Sequence, residues 1–529
     1  MIFRSPSPPA EIPNLSLTDY VLAQAGARAE KPALIDGPTG RTLTYGQLAG
    51  GIRRVATGLA QRGFAKGDVF AMMSPNLPEY AVAFHGVAAA GGVVTTVNPL
   101  YTAHELTLQL RDSGAHYLLT IPQFLATAQE AAHAAGIQEI FVFGEAEGAT
   151  PFAALLQNDG QAPAVIIDPA EDLIVLPYSS GTTGLPKGVM LTHRNLVANL
   201  AQVAGTDFGV FAVGEDDMIM GVLPFFHIYG MVVIMNYALA QGATIVTMPR
   251  FDLPQFLDLT QKHRITGMHI VPPIALALAK HPLVDQYDLS SLRFLLSAAA
   301  PLGAAVEEAC RRRLGAAVSQ GYGMTEASPI THLNPQHAHR PKPGSIGPAV
   351  VSTAVKVVDL LTQAELGPNQ EGELWISGPQ IMKGYLNNPQ ATANTVDRDG
   401  WLHTGDIGYA DEDGYFTIVD RLKELIKYKG FQVAPAELES VILGHEAVAD
   451  VAVIGVADEE AGELPKAFVV LKQGHDATAE DILEFVATRV APFKKVRAVE
   501  FLDQIPKSAS GKILRRVLVE QERARAAVD

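Results

Sequence analysis

The sequence predicts an α/β chain of several units: two sheets wrapped by helices, a smaller β-rich unit, and a compact α/β lobe at the C-terminal end. Three observations carry this. The chain has 529 residues, well above the ~250–300 at which a single core stops growing. Apolar runs of strand length alternate with helix-periodic runs in two separate regions. Beyond them the glycine spacing tightens, and after Asp420 lysine and glutamate become dense.

Leu48, Ile52, Val55 and Leu59 recur at helical spacing within 45–63, and Gly63 closes the segment as a C-cap would. A strand over 69–73 follows. Runs at 80–89, 93–97, 103–110, 117–120 and 140–143 then alternate between helix and strand character. The rhythm returns at 218–223, 243–248, 256–263, 267–271 and 293–297, which predicts a second layered sheet. Short β runs at 354–358, 372–376 and 415–419 predict a β-rich unit. In the last stretch, β runs at 451–456 and 467–471 join Ile482, Phe485, Val486 and Val490 at helical spacing. No short repeat is present. The division expected is 1–420 and 421–529.

A net charge of -16 disfavours a nucleic acid backbone as partner, so anionic ligands must meet local positive groups. Hydrophobic residues make up 48% of the chain, yet no apolar run is long and uncharged enough to span a bilayer. Met1-Ile2-Phe3-Arg4 leads into a proline-rich stretch and the chain closes on Ala526-Ala527-Val528-Asp529, so a soluble, cytoplasmic protein is expected. The single cysteine, Cys310, fits a reducing compartment and has no histidine near it in sequence.

The chemistry concentrates in Tyr178-Ser179-Ser180-Gly181-Thr182-Thr183-Gly184-Leu185-Pro186-Lys187-Gly188-Val189. Leu173-Ile174-Val175-Leu176 reads as a buried strand, so the chain leaves a sheet, turns on glycines at its rim and returns through Val189-Met190-Leu191. Glycines let backbone N–H groups approach an anion, hydroxyls add donors, and a lysine supplies a point charge. A nucleoside triphosphate is the ligand this composition suits. It is neither a Walker A loop nor a G-x-G-x-x-G turn; a polar surface loop is the plain alternative.

Taken with Gln320-Gly321-Tyr322-Gly323-Met324-Thr325-Glu326, Thr404-Gly405-Asp406, Asp420-Arg421-Leu422-Lys423-Glu424 and Pro506-Lys507-Ser508-Ala509-Ser510-Gly511-Lys512, this stretch resembles the adenylate-forming acyl-CoA synthetase superfamily. The likeness runs from about 15 to 518 and is nearest the 4-coumarate-CoA ligases. It implies two α/β sheets plus a distorted β-barrel-like subdomain, with a small mobile C-terminal domain hinged at Lys423. The implied reaction joins a carboxylic acid to coenzyme A through an acyl-adenylate, with ATP and Mg2+.

By this resemblance Ser179, Ser180, Gly181, Thr182, Thr183 and Lys187 hold the β- and γ-phosphates. Thr325 meets the α-phosphate and, with Glu326, the metal ion. Asp406 and Arg421 hold the ribose, while Gln320, Gly321, Tyr322 and the Ala298-Ala299 segment frame the adenine. Lys512 serves adenylation. Lys427 and Gln432 serve thioesterification after the cap rotates, and Arg250, Lys429 and Gly430 meet coenzyme A.

Pro224-Phe225-Phe226-His227-Ile228-Tyr229-Gly230 is the acid-side signature. An isolated histidine in an apolar run is commonly a core residue, but the resemblance makes His227 a lid of the carboxylate pocket. The pocket lining carried over is Ile228, Tyr229, Val233, Leu296, Ala299, Gly321, Gly323, Pro329, Ile330 and Thr331. It is mostly apolar and holds no carboxylate to pair an ammonium, which disfavours an amino acid. A cinnamate or hydroxycinnamate fits, with the Tyr229 hydroxyl expected to meet a distal polar group on the acid. Val233 and Thr331 depart from the plant-type pattern and leave a medium-chain fatty acid as the alternative. A luciferase-like adenylate oxidase shares the nucleotide motifs, but nothing in the sequence argues for an oxidative step.

Overall fold

A computed structural model describes residues 1–179, 186–207, 209–335, 342–428, 431–458, 461–508 and 511–526. Two eight-stranded sheets form the larger part. The first has the order Gly384–Tyr385, Lys187–Thr192, Leu173–Ser179, Val93–Thr96, Val69–Met72, Ala115–Thr120, Glu139–Val142, Thr150–Pro151. From Leu173–Ser179 outward to Thr150–Pro151 every pairing is parallel. That follows from the alternation, since a chain returning through a helix re-enters its sheet in the same direction. Val93–Thr96 is buried along its whole length, as a strand covered by helices on both faces must be.

The second sheet has the order Ile330–Leu333, Ala317–Gly323, Phe294–Ser297, Gly267–Ile270, Met218–Gly221, Thr244–Thr247, Pro32–Asp36, Thr42–Thr44. Its far edge comes from the N-terminus: Pro32–Asp36 runs parallel to Thr244–Thr247. Strand character is written locally, but a partner more than 200 residues away is not, so this pairing has no mark in the sequence. The helix expected over 45–63 spans Tyr45–Ala60, opened by a Thr44–Gln47 capping box, with Leu48, Ile52, Val55 and Leu59 buried. Gly63 lies beyond its end at φ +82°.

The β-rich unit is an antiparallel sheet of Ile2–Arg4, Ala354–Val358, Gly372–Ser377, Leu402–Ala410 and Phe416–Arg421. The distorted barrel expected here is instead an open sheet: among the described residues no ladder joins Ile2–Arg4 to Phe416–Arg421. The three-residue edge strand is too short to continue a ring of hydrogen bonds. The inner face is covered by packing, with Phe3 edge-on to Phe416 at 5.4 Å and with Ile346 and Ala349 over Val355, Leu374 and Ile376.

After Phe416–Arg421 a turn containing Lys423 leads to Ile426–Tyr428, paired with Phe431–Val433. Val448–Asp458, Gly462–Leu471 and Ala498–Phe501 extend this sheet. Helices Pro435–Leu443 and Ala479–Ala487 pack on it around a separate core of Ile426, Leu438, Ile442, Val453, Val469, Ile482 and Val486. Val490, expected on the second helix, lies past its end at the edge of this core.

This lobe rests on the ends of the parallel strands of the second sheet. A Cβ at Gly511 would lie 3.1 Å from Val271, and one at Gly303 3.5 Å from Ser440 Oγ. The carboxyl ends of parallel strands are where α/β sheets bind ligands, because their loops and helix starts gather there.

One buried amide holds a turn at that rim. Asn199 donates from Nδ2 to the Ile330 carbonyl at 2.7 Å and accepts from the Ile330 N–H at 3.1 Å, fully buried. Asn199→Ala orphans both backbone groups. We expect a loss of ~2–4 kcal/mol, seen as a lower denaturant midpoint; an unchanged midpoint contradicts the clamp.

Candidate active site

The strands on either side of the glycine-rich stretch pair antiparallel, with Lys187 facing Ser179 and Gly188 facing Tyr178. Ser180, Gly181, Thr182 and Thr183 lie outside the described residues. The two ends of the loop are drawn toward one carboxylate. Ser179 Oγ donates to Glu326 Oε1 at 3.2 Å and the Tyr385 hydroxyl donates to the same oxygen at 2.7 Å. Lys187 Nζ stands over the Tyr385 ring at 4.8 Å. Glu326 and Thr325 belong to the short 3-10 turn Thr325–Ala327, just after strand Ala317–Gly323.

Among the described residues no three His, Cys, Asp or Glu side chains form a ready-made metal cage. Both hydroxyls bond the Oε1 atom of Glu326, which leaves Oε2 as a hard oxygen donor beside the Thr325 position. One carboxylate completed by substrate phosphates and water is how Mg2+ is commonly bound, so these residues fit that ion.

The opposite wall is made by the open sheet. Register pairs Asp406 with Arg421 across two antiparallel strands, and Arg421 Nε meets Asp406 Oδ1 at 3.0 Å. The Tyr322 hydroxyl donates to Asp406 Oδ2. Thr404 Oγ1 accepts from the Asp406 N–H at 3.0 Å, and Gly405, at φ +69°, makes the bend between them. Asp406 is 3% exposed and bonded to both a guanidinium and a phenol, so its carboxyl group is fixed in position.

Lys512 enters this space from the C-terminal lobe. Its backbone N–H donates to Ser508 Oγ at 3.1 Å, and Gly511, at φ +78°, turns the chain against Val271 and Pro273. Burial pushes the Lys512 ammonium down to about 8, with Arg421 adding to the effect and Glu424 and Asp406 opposing it. Arg515 fixes the base of the loop by pairing with Glu424 at 2.6 Å and Glu439 at 2.7 Å. His227 feels the same lysine: burial first, then the Lys512 charge, bring its imidazole down to about 4.

His227 sits on a tight turn that runs into the π-helix Tyr229–Asn236, a form that recurs at functional sites. A Cβ at Gly230 would lie 2.2 Å from the Pro224 carbonyl, so only glycine lets the turn close. His227 Nδ1 accepts from the Tyr229 N–H at 3.3 Å. The Tyr229 hydroxyl donates to the Leu296 carbonyl at 3.0 Å. Its proton is thus committed within the protein, and only its lone pairs remain for a ligand, a narrower role than the sequence suggested.

Ile228, Tyr229, Val233 and Leu296 are buried together. Leu296 and Ser297 lie beside Ser319 and Gln320 in register, which carries this wall over to Gly321, Tyr322 and Gly323. A Cβ at Gly323 would lie 2.1 Å from the Pro329 carbonyl, so the strand can pass Pro329 and Ile330 only without a side chain. Thr331 Oγ1 donates to the Tyr322 carbonyl at 3.3 Å; its hydroxyl serves the hairpin. Ala298 is half-buried, and Ala299 is exposed with φ +73°, a costly backbone for alanine.

Gln320 is not available as expected. Its Oε1 accepts from the Leu302 N–H at 2.7 Å and its Nε2 donates to Glu307 at 3.1 Å, so the side chain braces the loop after Ala299. Glu307, Tyr385, Asn199 and Asn76 escaped the sequence reading. Asn76 holds the Gly221 and Leu223 carbonyls and the Phe225 N–H, fixing the approach to His227. A lone asparagine or glutamate in an apolar run is a faint signal, and nothing local says what it will bind.

Lys427 is exposed and Arg250 is exposed, and neither joins the cluster around Asp406. Lys427 faces Gln432 across the hairpin, of which residue only the backbone is described. Lys429 and Gly430 lie outside the described residues. Lys423 is exposed in the turn between the open sheet and the lobe. The lobe therefore presents Lys512 to the cleft and Lys427 to solvent.

Residues 21–386 match the AMP-binding enzyme family, and residues 437–512 match the AMP-binding enzyme C-terminal domain. The chain is 46% identical over 523 residues to 4-coumarate--CoA ligase 5 of Oryza sativa subsp. japonica, covering 98% of this chain and 96% of that one. It is 46% identical over 527 residues to 4-coumarate--CoA ligase 3 of Arabidopsis thaliana, covering 98% and 93%. Among solved structures it is similar to an anthranilate CoA ligase in complex with anthranoyl-AMP, with TM-score 0.89, 28% identity and coverage of 97% and 98%. A benzoate CoA ligase from Burkholderia xenovorans LB400 gives TM-score 0.86 at 26% identity, covering 96% and 100%. The chain belongs to the AMP-binding enzyme family.

Proposed function

We propose that this protein is an AMP-forming acid-CoA ligase of the 4-coumarate or cinnamate type. The observation that carries the reading is one cleft in which Asp406, Arg421, Glu326, His227 and Lys512 converge from three parts of the chain. In the first step a carboxylate oxygen attacks the α-phosphorus of ATP, the bond to the bridging oxygen breaks, and pyrophosphate leaves. No protein nucleophile is needed; the work is placement and charge. Asp406 and Arg421 hold the ribose, Lys187 and the loop after Ser179 hold the outer phosphates, and Lys512 stabilises charge on the carboxylate and α-phosphate. Glu326 and Thr325 hold Mg2+, which when bound neutralises phosphate charge.

In the second step the coenzyme A sulfur attacks the acyl carbon, the C–O bond to AMP breaks, and AMP leaves. Residues 421–529 act as a cap that turns at Lys423, withdrawing Lys512 and bringing in Lys427 and Gln432, while Arg250, Lys429 and Gly430 meet the nucleotide of coenzyme A. Withdrawal has a second effect. It removes one of the two influences that hold the His227 imidazole down, so His227 becomes more basic when a thiol proton must be taken.

The aryl side of this proposal draws on the relatives' names and on the mostly apolar wall of Ile228, Val233, Leu296 and Ile330. A medium-chain fatty acid fits the same apolar chemistry and is the competing substrate. Among the described residues no helix is long and apolar enough to cross a membrane. The buried thiol of Cys310, in no disulfide and donating to the Ala275 carbonyl, suits the reducing cytoplasm that we propose as its setting.

Coenzyme A-dependent AMP release measured across cinnamic, benzoic and medium-chain fatty acids tests the substrate class, and release with no acid overturns the ligase reading. Lys512→Ala should slow adenylate formation by ~10²–10³-fold yet still convert a presynthesised adenylate, and Lys427→Ala should do the reverse. Equal loss of both steps in both variants contradicts the division. Because the lysine must be protonated to act, kcat/KM for acid-dependent pyrophosphate exchange should fall above about pH 8. Lys512→Arg keeps its charge and should move that alkaline limb upward; an unmoved limb assigns it to another group.

A further inference from the structure

Tyr385 touches two groups that the proposed reaction sets on ATP, without itself entering that reaction. It ends the short strand Gly384–Tyr385, which pairs antiparallel with the strand after the glycine-rich stretch, Tyr385 facing Val189 and Gly384 facing Met190. Backbone bonds tie this segment down on two sides. The Leu386 N–H donates to the Gly188 carbonyl at 2.8 Å, and the Met382 N–H donates to the Glu326 carbonyl at 2.9 Å. One short piece of chain therefore reaches from the strand that carries Lys187 to the turn that carries Glu326. The Tyr385 N–H donates to Thr392 Oγ1 at 2.9 Å, and a Cβ at Gly384, at φ +147°, would lie 2.8 Å from the same threonine, so the backbone that aims the ring is fixed.

The side chain is 7% exposed and works from two sides. Its hydroxyl donates to Glu326 Oε1 at 2.7 Å, a charge-assisted bond that fixes which way the carboxylate turns. Its electron-rich face takes the Lys187 ammonium at 4.8 Å. An ammonium and a carboxylate that share one neighbour would otherwise pair with each other, and both would be lost to a ligand. Tyr385 holds them apart, the anion at its hydroxyl end and the cation over its ring. A leucine there would allow the two charges to collapse together; a phenylalanine would keep the lysine in place and free the carboxylate to turn.

We propose that Tyr385 is a positioning residue for ATP: its hydroxyl sets Glu326 for the metal ion that accompanies the phosphates, and its ring sets Lys187 for the phosphates themselves. This rests on the ligase reading given under Proposed function. The two contributions are separable. The hydroxyl acts on the metal-dependent part of ATP binding, and the ring acts on the part that needs no metal.

Isothermal titration calorimetry of ATP into the full-length protein, without acid or coenzyme A, reads both parts when run once in EDTA and once in excess MgCl2. The wild type should bind ATP more tightly with Mg2+. In Tyr385→Phe the metal-free affinity should stay within about twofold of wild type, because the ring keeps its hold on Lys187. The gain from Mg2+ should shrink roughly tenfold, as when other residues that orient a metal ligand are removed. In Tyr385→Leu the metal-free affinity should fall as well, by roughly three- to tenfold, the size of one partly desolvated cation–π contact. A residue serving only the fold would lower Tm without separating these two readings. A Mg2+ gain unmoved in Tyr385→Phe overturns the proposal, and so does a metal-free affinity that is equal in the Phe and Leu variants. If the Leu variant does not fold, Tyr385→Phe decides alone. A wild type that binds no ATP overturns the ligase reading and this proposal together, whereas a wild type that binds ATP without a Mg2+ gain, or variants that match it, overturn this proposal alone.

Discussion

An ammonium group buried in a cleft between two lobes constrains everything else in this molecule. Lys512 is delivered by a loop whose glycine turns against Val271 and Pro273, and its charge is balanced by Glu424 and Asp406 against the opposing Arg421 and Arg515. Such a group is stable only while those carboxylates surround it. The register that sets Asp406 opposite Arg421, the Tyr322 phenol that donates to Asp406, and the Arg515 pairs at the base of the loop all maintain that balance. In the proposed chemistry the same charge is needed for one step and must leave for the next, so the lobe that carries it has to be separable. Its own apolar core, distinct from that of the sheets, allows this.

The site also depends on close backbone approaches. Gly230 and Gly323 stand where a single Cβ would meet a carbonyl at 2.2 and 2.1 Å. These two contacts bring the turn bearing His227 and the hairpin of Tyr322 and Ile330 close to their neighbours. Buried amides then hold what the glycines permit: Asn76 on the approach to His227, and Asn199 on Ile330.

Much of this was legible in the sequence. The alternating runs marked the parallel strands to within a few residues, because burial on both faces leaves a continuous apolar signature. Asp406, Arg421 and Lys512, which the fold brings together, each stand in a motif that could be read from the sequence. What was hidden is long-range or negative in character. The pairing of Pro32–Asp36 with Thr244–Thr247 has no local mark. The barrel expected from the resemblance proved to be an open sheet, since covering an apolar face by packing leaves the same strand pattern as closing it. Gln320 and the Tyr229 hydroxyl turned inward to Glu307 and Leu296, because a side chain's partner is set by what folds against it.

The requirement that the lobe move can be tested directly by tethering it. A Cβ at Gly303 would stand 3.5 Å from Ser440 Oγ, near the spacing a disulfide needs, while Cys310 is buried and out of the way. The measurement is single-turnover kinetics of the oxidised Gly303→Cys/Ser440→Cys protein with acid, ATP and coenzyme A. The account predicts that the tethered protein forms acyl-adenylate at the normal rate but makes no thioester until a reductant is added. Thioester formation at the same rate in the oxidised and reduced protein would contradict it.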